Sequence, residues 1–129
     1  MPVLTWSPTL GDLLKYELNA NYSRETVTLK AGTSYPLGAV LGRITATDTY
    51  RLSPAAAVAG DEGAEAAVAV LIEPVDASAG DAPGLVLARG PAIVSKAALV
   101  FDASVDQPAE IAAKHAELAA IGLIARETA

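Results

Sequence analysis

Apolar and polar residues alternate along much of residues 24–95, which is the pattern of strands with one buried face. The alternation predicts strands over 24–29, 39–44, 49–52, 66–73, 85–89 and 92–95. Stretches rich in glycine, proline, aspartate and serine separate these strands, and Pro74 ends the most apolar of them. The middle of the chain is therefore expected to be β-structure, with a loop over 54–65.

The apolar spacing changes to a helical period near the C-terminus. Ile111, His115 and Leu118 fall within about 60° of one another on a helical wheel, which predicts a helix over 107–121. Residues 96–101 fit either a strand or a helical turn.

The predicted helix has recognisable ends and one expected surface pair. Pro108 suits its first turn, and Gly122 suits its end. Glu110 precedes Lys114 by four residues, so the two are expected to form an ion pair on the helix surface. A short final strand is expected over 123–125.

Residues 1–23 are expected to form an extended N-terminal arm that precedes a single domain over 24–129. Thr9 and Asp12 can cap a short helix within the arm. Many apolar side chains of the arm have no evident place in regular structure. They are Leu4, Trp6, Leu10, Leu13, Leu14, Tyr16, Leu18 and Tyr22. They either cover the domain's own core or dock on a partner, by adding a strand to a sheet edge or by filling a groove.

Charge and composition narrow the classes of function. Nine basic residues against 15 acidic ones give a net charge of −6, which disfavours binding to nucleic acid or to anionic membranes. The absence of cysteine excludes disulfide scaffolds, cysteine-ligated zinc and thiol catalysis. Alanine makes up much of the 52% apolar fraction, so the core is modest and association should add stability. No run is apolar enough to cross a membrane, so a soluble protein made in the cytoplasm is expected.

The sequence offers no recognisable catalytic or metal-binding constellation. His115 is the only histidine, and it fits a partly buried helix position better than a general base. Asp61 and Asp76 lie in acidic loops that lack the spacing of a calcium loop. The glycine-rich pieces do not match a phosphate-binding loop. No cofactor, metal or enzymatic activity is expected.

In order and spacing, the segments resemble the phage lambda-type head decoration protein family. The resemblance covers nearly the whole chain. It rests on the strand at 24–29, the turn and strand at 36–44, the strand at 67–77, the segment at 85–90, and the helix that ends at 122–124.

This resemblance implies a non-enzymatic cement protein of a phage head. It implies a small, mainly β (α+β) domain of the β-clip type with one or two short helices. It also implies homotrimers at three-fold sites of the expanded capsid, bound to the major capsid protein on the outer surface of the virion. In such proteins the N-terminal arm tends to be disordered when free and ordered on the shell, so the eight arm residues named above are the expected capsid-binding residues.

Two other classes of function remain open from the residues alone. The first is a small β-rich ligand-binding module or enzyme, in which the acidic loops around Asp61 and Asp76 line a pocket. The second is a tail or fibre accessory protein of the same virus.

Overall fold

The computed structural model describes residues 9–127, which contain ten short strands and three α-helices. The strands are β1 (Leu14–Glu17), β2 (Arg24–Leu29), β3 (Ser34–Tyr35), β4 (Val40–Ile44), β5 (Thr49–Leu52), β6 (Ala67–Leu71), β7 (Val75–Asp76), β8 (Ala82–Leu87), β9 (Ala92–Ser95) and β10 (Leu123–Arg126). The helices are α1 (Leu10–Leu13), α2 (Ala20–Ser23) and α3 (Pro108–Ala120), with a 3₁₀ turn at Lys96–Ala98. The mainly β (α+β) class expected from the alternation is confirmed.

Five strands close into a barrel in the order β2-β5-β4-β6-β8. Its pairings are antiparallel, except for the short parallel contact between β2 and β5, where Leu29 lies opposite Tyr50. A closed barrel leaves no unpaired strand edge, so these strands satisfy one another's backbone groups. Strands β3 and β7 form a separate two-stranded pair beside it.

Two clusters of buried side chains form the core, and β6 contributes to both. Val70 and Ile72 belong to one cluster, which also takes in helix α3 and β9. Ala69 and Leu71 belong to the other, with residues of β2, β4 and β8. A strand that is buried on both faces needs a nearly continuous apolar run, and the run at 66–73 predicted this strand correctly.

The second sheet has the order β1-β9-β10, so its central strand joins the two ends of the described chain. Strand β1 is antiparallel to β9, and β10 is parallel to it. Ala92, Val94 and Leu123 turn one face of this sheet into the first core cluster. Helix α3 packs against β10 and β6, which fixes the sheet to the barrel.

Two glycines allow β9 and β10 to begin side by side. Gly122 ends α3 with a φ of +87°, a conformation that suits glycine. A Cβ atom on Gly90 would lie only 1.9 Å from the carbonyl oxygen of Gly122. The backbone N–H of Ala92 donates to that same oxygen at 3.1 Å. The predicted helix end at Gly122 and the predicted final strand are both confirmed.

The short helix expected within the N-terminal arm is present as α1. The Thr9 N–H and hydroxyl donate to the Asp12 carboxylate at 2.8 and 3.2 Å, as expected for a cap. The helix ends after one turn, and Leu14 lies in a strand opposite Val94. The helix is therefore short, as expected, and the chain continues from it as the extended strand β1. The open edge of β9 provides backbone partners, and this pairing overrides the local pattern.

The strand predicted over 85–89 is observed as Ala82–Leu87. It therefore includes residues that the sequence analysis placed in a turn. Pro83 lies opposite Thr28, and Gly84 lies against the Leu29 side chain. A Cβ atom on Gly84 would lie 2.8 Å from Leu29 Cδ1, so glycine lets the strand pass over the leucine.

Helix α3 begins and ends within one residue of the predicted limits, but its predicted surface pair is wrong. The Glu110 carboxylate accepts from the Gln107 backbone N–H at 3.1 Å and caps the helix. Lys114 is only 2% exposed, and its ammonium group donates to Ser53, Pro54 and Glu65 instead. No helix within residues 9–127 has the length and apolar character needed to cross a bilayer.

Candidate functional site

The outer face of the β1-β9-β10 sheet carries a row of apolar side chains. Tyr16 lies opposite Ile93, and Ile93 lies opposite Ile124, so the three side chains share one row across the sheet. Tyr16 is 48% exposed and Ile124 is 41% exposed. Neighbouring residues on these strands point into the core, which leaves this row on the solvent side.

Two more exposed apolar residues of the N-terminal region follow Tyr16 in sequence. Leu18 is 60% exposed, and its backbone N–H donates to the Pro91 carbonyl at 3.2 Å. Tyr22 is 56% exposed, and the Arg89 guanidinium lies 5.5 Å from the centre of its ring. We call Tyr16, Leu18, Tyr22, Ile93 and Ile124 the apolar surface set. Exposed apolar groups gathered in one region are typical of binding surfaces.

The acidic loop around Asp61 forms an ion-pair network. Asp61 Oδ1 accepts from Lys30 Nζ and Asp61 Oδ2 accepts from Arg51 Nη1, both at 2.8 Å. Arg51 Nη2 reaches Asp102 Oδ1 at 3.1 Å. These bonds from Lys30 and Arg51 lower the pKa of Asp61. Burial acts to raise the pKa of Asp102, but bonds from Ser104 and the charge of Arg51 together lower it.

Asp76 belongs to a different place on the surface. Its carboxylate accepts from Ser34 Oγ at 3.1 Å and from the Ser78 backbone N–H at 2.9 Å. The depression beside Asp61 has a volume of about 310 Å³ and does not include Asp76, which borders a separate depression with Pro36 and Pro74. Asp61 and Asp76 therefore border two separate depressions, and Tyr35 belongs to the lining of both.

Replacing Asp61 with asparagine should lower the free energy of unfolding at pH 7 by about 1–3 kcal/mol, the usual cost of losing hydrogen bonds to a charged group. Folding lowers the pKa of Asp61, so its contribution is present above the unfolded pKa of about 4 and is lost as the pH falls through the folded pKa. Urea unfolding at pH 7 and in acid measures this. The difference between the two proteins should shrink in acid. A difference in unfolding free energy that stays constant with pH would contradict the role of the network. Glu73→Gln, at an exposed site, is the control.

A family model now places these features in context. The model of the bacteriophage lambda head decoration protein D family matches residues 3–123 of the 129-residue chain. The chain belongs to this family. No curated protein is significantly similar to it. Membership supports a structural role in decorating the phage capsid, association with that capsid and a location in the virion.

In this head decoration protein, the arm residues singled out in the sequence have three different environments. Leu13 is fully buried in the first core cluster, and Leu10 and Leu14 pack against the same cluster. These three side chains serve the domain's own core in this structure, which is one of the two roles that the sequence left open. Tyr16, Leu18 and Tyr22 are exposed, and Leu4 and Trp6 lie outside the described residues.

Sequence reasoning missed two members of the apolar surface set, Ile93 and Ile124. Both lie far from the arm in sequence and reach Tyr16 only through the register of three strands. A signal was present in the alternation of 92–95, where Ala92 and Val94 point inward and Ile93 must point outward.

His115 of this head decoration protein is a partly buried helix residue, as its position predicted. Its ring meets the Phe101 ring edge-on, with 5.8 Å between the ring centres. Burial, with a contribution from the charge of Lys96, lowers the pKa of His115. Within residues 9–127, no three side chains of the metal-ligating types His, Cys, Asp and Glu come together.

Proposed function

We propose that this chain is a non-enzymatic cement protein that binds the expanded phage capsid as a homotrimer at three-fold sites. It contacts the major capsid protein from the outer surface of the head and stabilises the shell against the pressure of packaged DNA. The observation that carries this proposal is the apolar surface set. It includes three exposed residues of the N-terminal arm, in a chain of the head decoration family.

The physical argument for a trimer is that one copy of the surface set is small. Fully burying one large apolar side chain contributes only about 1.5–3 kcal/mol, and association costs translational and rotational freedom. Three linked copies make the second and third contacts effectively intramolecular, which raises the overall affinity without new contacts. Alanine side chains bury little apolar area, so the core of this alanine-rich chain is modest, which also favours association.

Strand β1 provides a second route to the same partner. It lies at the edge of its sheet in the order β1-β9-β10, so its outer backbone groups can pair with an added strand. Leu4 and Trp6 precede β1 in the chain and extend the apolar content toward the N-terminus. Docking through the face and docking through the edge are compatible with each other.

The double variant Tyr16→Ser, Leu18→Ser should bind expanded shells at least tenfold more weakly, because each change removes apolar area from the proposed contact. Both side chains are about half exposed or more, so the fold should be retained. Val58→Ser is the matched control, since Val58 is an exposed valine in the loop at 54–65. Binding of the double variant at wild-type affinity would remove the face from the proposal.

The stabilising role has its own test. Expanded shells that carry the bound protein should resist thermal disruption to a higher temperature than bare shells, as followed by light scattering. Shells that bind the protein and then break down at the temperature of bare shells would show that it decorates without cementing.

A truncation separates the arm from the core. Removing residues 1–8 should leave the described fold intact and weaken shell binding, which circular dichroism and shell binding measure together. Removing residues 1–19, the part of the chain before α2, should instead damage the fold, because it takes away Leu13 and β1. Unchanged binding after removal of residues 1–8 would contradict a role for Leu4 and Trp6.

A further inference from the structure

Three of the nine basic residues differ from the other six in their surroundings. The six that form salt bridges with carboxylates of this chain are Arg24, Lys30, Arg43, Arg51, Arg89 and Lys114. Lys15, Lys96 and Arg126 are exposed and form no salt bridge with any described residue. Lys15 Nζ donates to the Gly11 carbonyl at 2.8 Å, which leaves its charge unbalanced. Three cations without a carboxylate partner need an explanation in a chain that carries 15 acidic residues.

The three unpaired cations lie at one end of the β1-β9-β10 sheet. Ser95 is the last residue of β9 and lies opposite Arg126 on β10. Lys96 follows Ser95 directly, at the start of the 3₁₀ turn. Lys15 lies at the irregularity in β1, next to the residue that pairs with Val94. The strand register therefore gathers residues that are far apart in sequence, and we call Lys15, Lys96 and Arg126 the basic end of the sheet.

The chain balances the charge of the basic end only in part. Hydrogen bonds from Thr9 lower the pKa of the Asp12 carboxyl, and the charge of Lys15 adds a smaller contribution, so Asp12 is near the basic end. Glu127 borders the same groove as Lys96 but forms no salt bridge within residues 9–127. Three cations thus outnumber two nearby carboxylates, and this end of the sheet keeps a positive charge in a chain of net charge −6.

The basic end continues the apolar surface set. Ile124 and Arg126 are two residues apart on β10, so their side chains share the outer face of the sheet. On β1, Tyr16 directly follows Lys15. A partner that covers the apolar surface set therefore also reaches the basic end. Charged groups around an apolar contact steer the approach of a partner and fix its orientation.

We propose that the basic end binds an acidic patch on the outer surface of the major capsid protein, beside the contact that the apolar surface set makes. This inference rests on the proposed function and names the charge of the surface that the protein recognises. Arg126 lies beyond residues 3–123, so the match to the family model does not include the whole basic end. Salt screens exposed charges over about 8 Å at physiological ionic strength and over shorter distances above it, so shell binding should weaken as salt rises.

Neutral substitutions test the basic end, because all three residues are exposed and the fold should be retained. The triple variant Lys15→Gln, Lys96→Gln, Arg126→Gln should bind expanded shells about tenfold more weakly than the wild-type protein in about 0.05 M salt. The difference in affinity should shrink in about 0.5 M salt. Arg126→Gln alone should weaken binding by a smaller factor. Arg43→Gln is its matched control and should bind as the wild type does, since Arg43 is an exposed strand arginine that pairs with Asp48 on the barrel.

Four results would overturn the proposal. Shell binding that neither salt nor the triple variant weakens would overturn it and leave the proposed function standing. Absence of wild-type binding to shells would overturn both. Binding of the wild-type protein to double-stranded DNA that the triple variant loses would assign the basic end to nucleic acid. Self-association without shells that the triple variant loses, measured by sedimentation velocity, would assign it to a contact with a second copy of the chain.

Discussion

Replacing Lys114 with methionine should lower the free energy of unfolding by about 3 kcal/mol, although the substitution keeps most of the side-chain volume. Lys114 Nζ donates to Ser53 Oγ at 2.9 Å, to the Pro54 carbonyl at 2.8 Å and to the Glu65 carbonyl at 2.6 Å. Glu117 Oε1 lies at 3.4 Å. Methionine would leave buried acceptors without a donor, and such groups cost about 1–3 kcal/mol each.

The same substitution should loosen the loop over 54–65. Lys114 bonds to both ends of this loop, and Ser53 Oγ also donates to the Ala64 carbonyl at 2.6 Å. Urea unfolding measures the loss of stability, and hydrogen exchange of the loop amides measures the loosening. Lys96→Met is the control, because Lys96 is exposed and should change stability by less than about 0.5 kcal/mol. Equal stability of the two variants would contradict the structural role of Lys114.

Leu13→Ala should lower the free energy of unfolding by about 3 kcal/mol, within the range of 2–5 kcal/mol found for leucine in cores. Leu13 is 0% exposed and belongs to the first core cluster with Val94 and Leu118. The truncated side chain would leave a cavity between α1, β9 and α3. The result would show that the domain includes residues before position 24.

Leu18→Ala is the matched control for Leu13→Ala, since both changes remove the same atoms from the same N-terminal region. Leu18 is 60% exposed, and its replacement should change the free energy of unfolding by less than about 0.5 kcal/mol. Urea unfolding of the two variants gives the comparison. Equal effects would mean that the N-terminal region does not pack as the structure shows.

The strands with clean alternation were predictable from the sequence. The strands at Arg24–Leu29 and Thr49–Leu52 were predicted with the bounds that the structure shows. Helix α3 was predictable because local signals mark both ends, with Pro108 in the first turn and Gly122 just after the last. In these segments the local pattern and the tertiary environment favour the same structure.

The features that sequence reasoning missed depend on distant partners. Strand β1 forms because β9 offers an open edge, and nothing near Leu14 in sequence signals that edge. Lys114 follows Glu110 by one helical turn, so it looked like a solvated partner on the surface. Its real acceptors, at Ser53, Pro54 and Glu65, are brought to it only by the fold.

The candidate site was predictable only in part, for the same reason. Sequence analysis pointed to the arm because Tyr16, Leu18 and Tyr22 are large and apolar, and the structure leaves them exposed. It could not separate them from Leu13, because the separation depends on where α1 ends and β1 begins. It also could not join Tyr16 to Ile93 and Ile124, which are neighbours only through strand register.

The most direct test of shell decoration is co-sedimentation of the purified full-length protein with shells of the phage that encodes it, before and after expansion. We expect saturable binding to expanded shells alone, near one copy for each capsid subunit, as three-fold sites filled by trimers require. Absence of binding to both forms would contradict the account, and binding without saturation would contradict its defined sites.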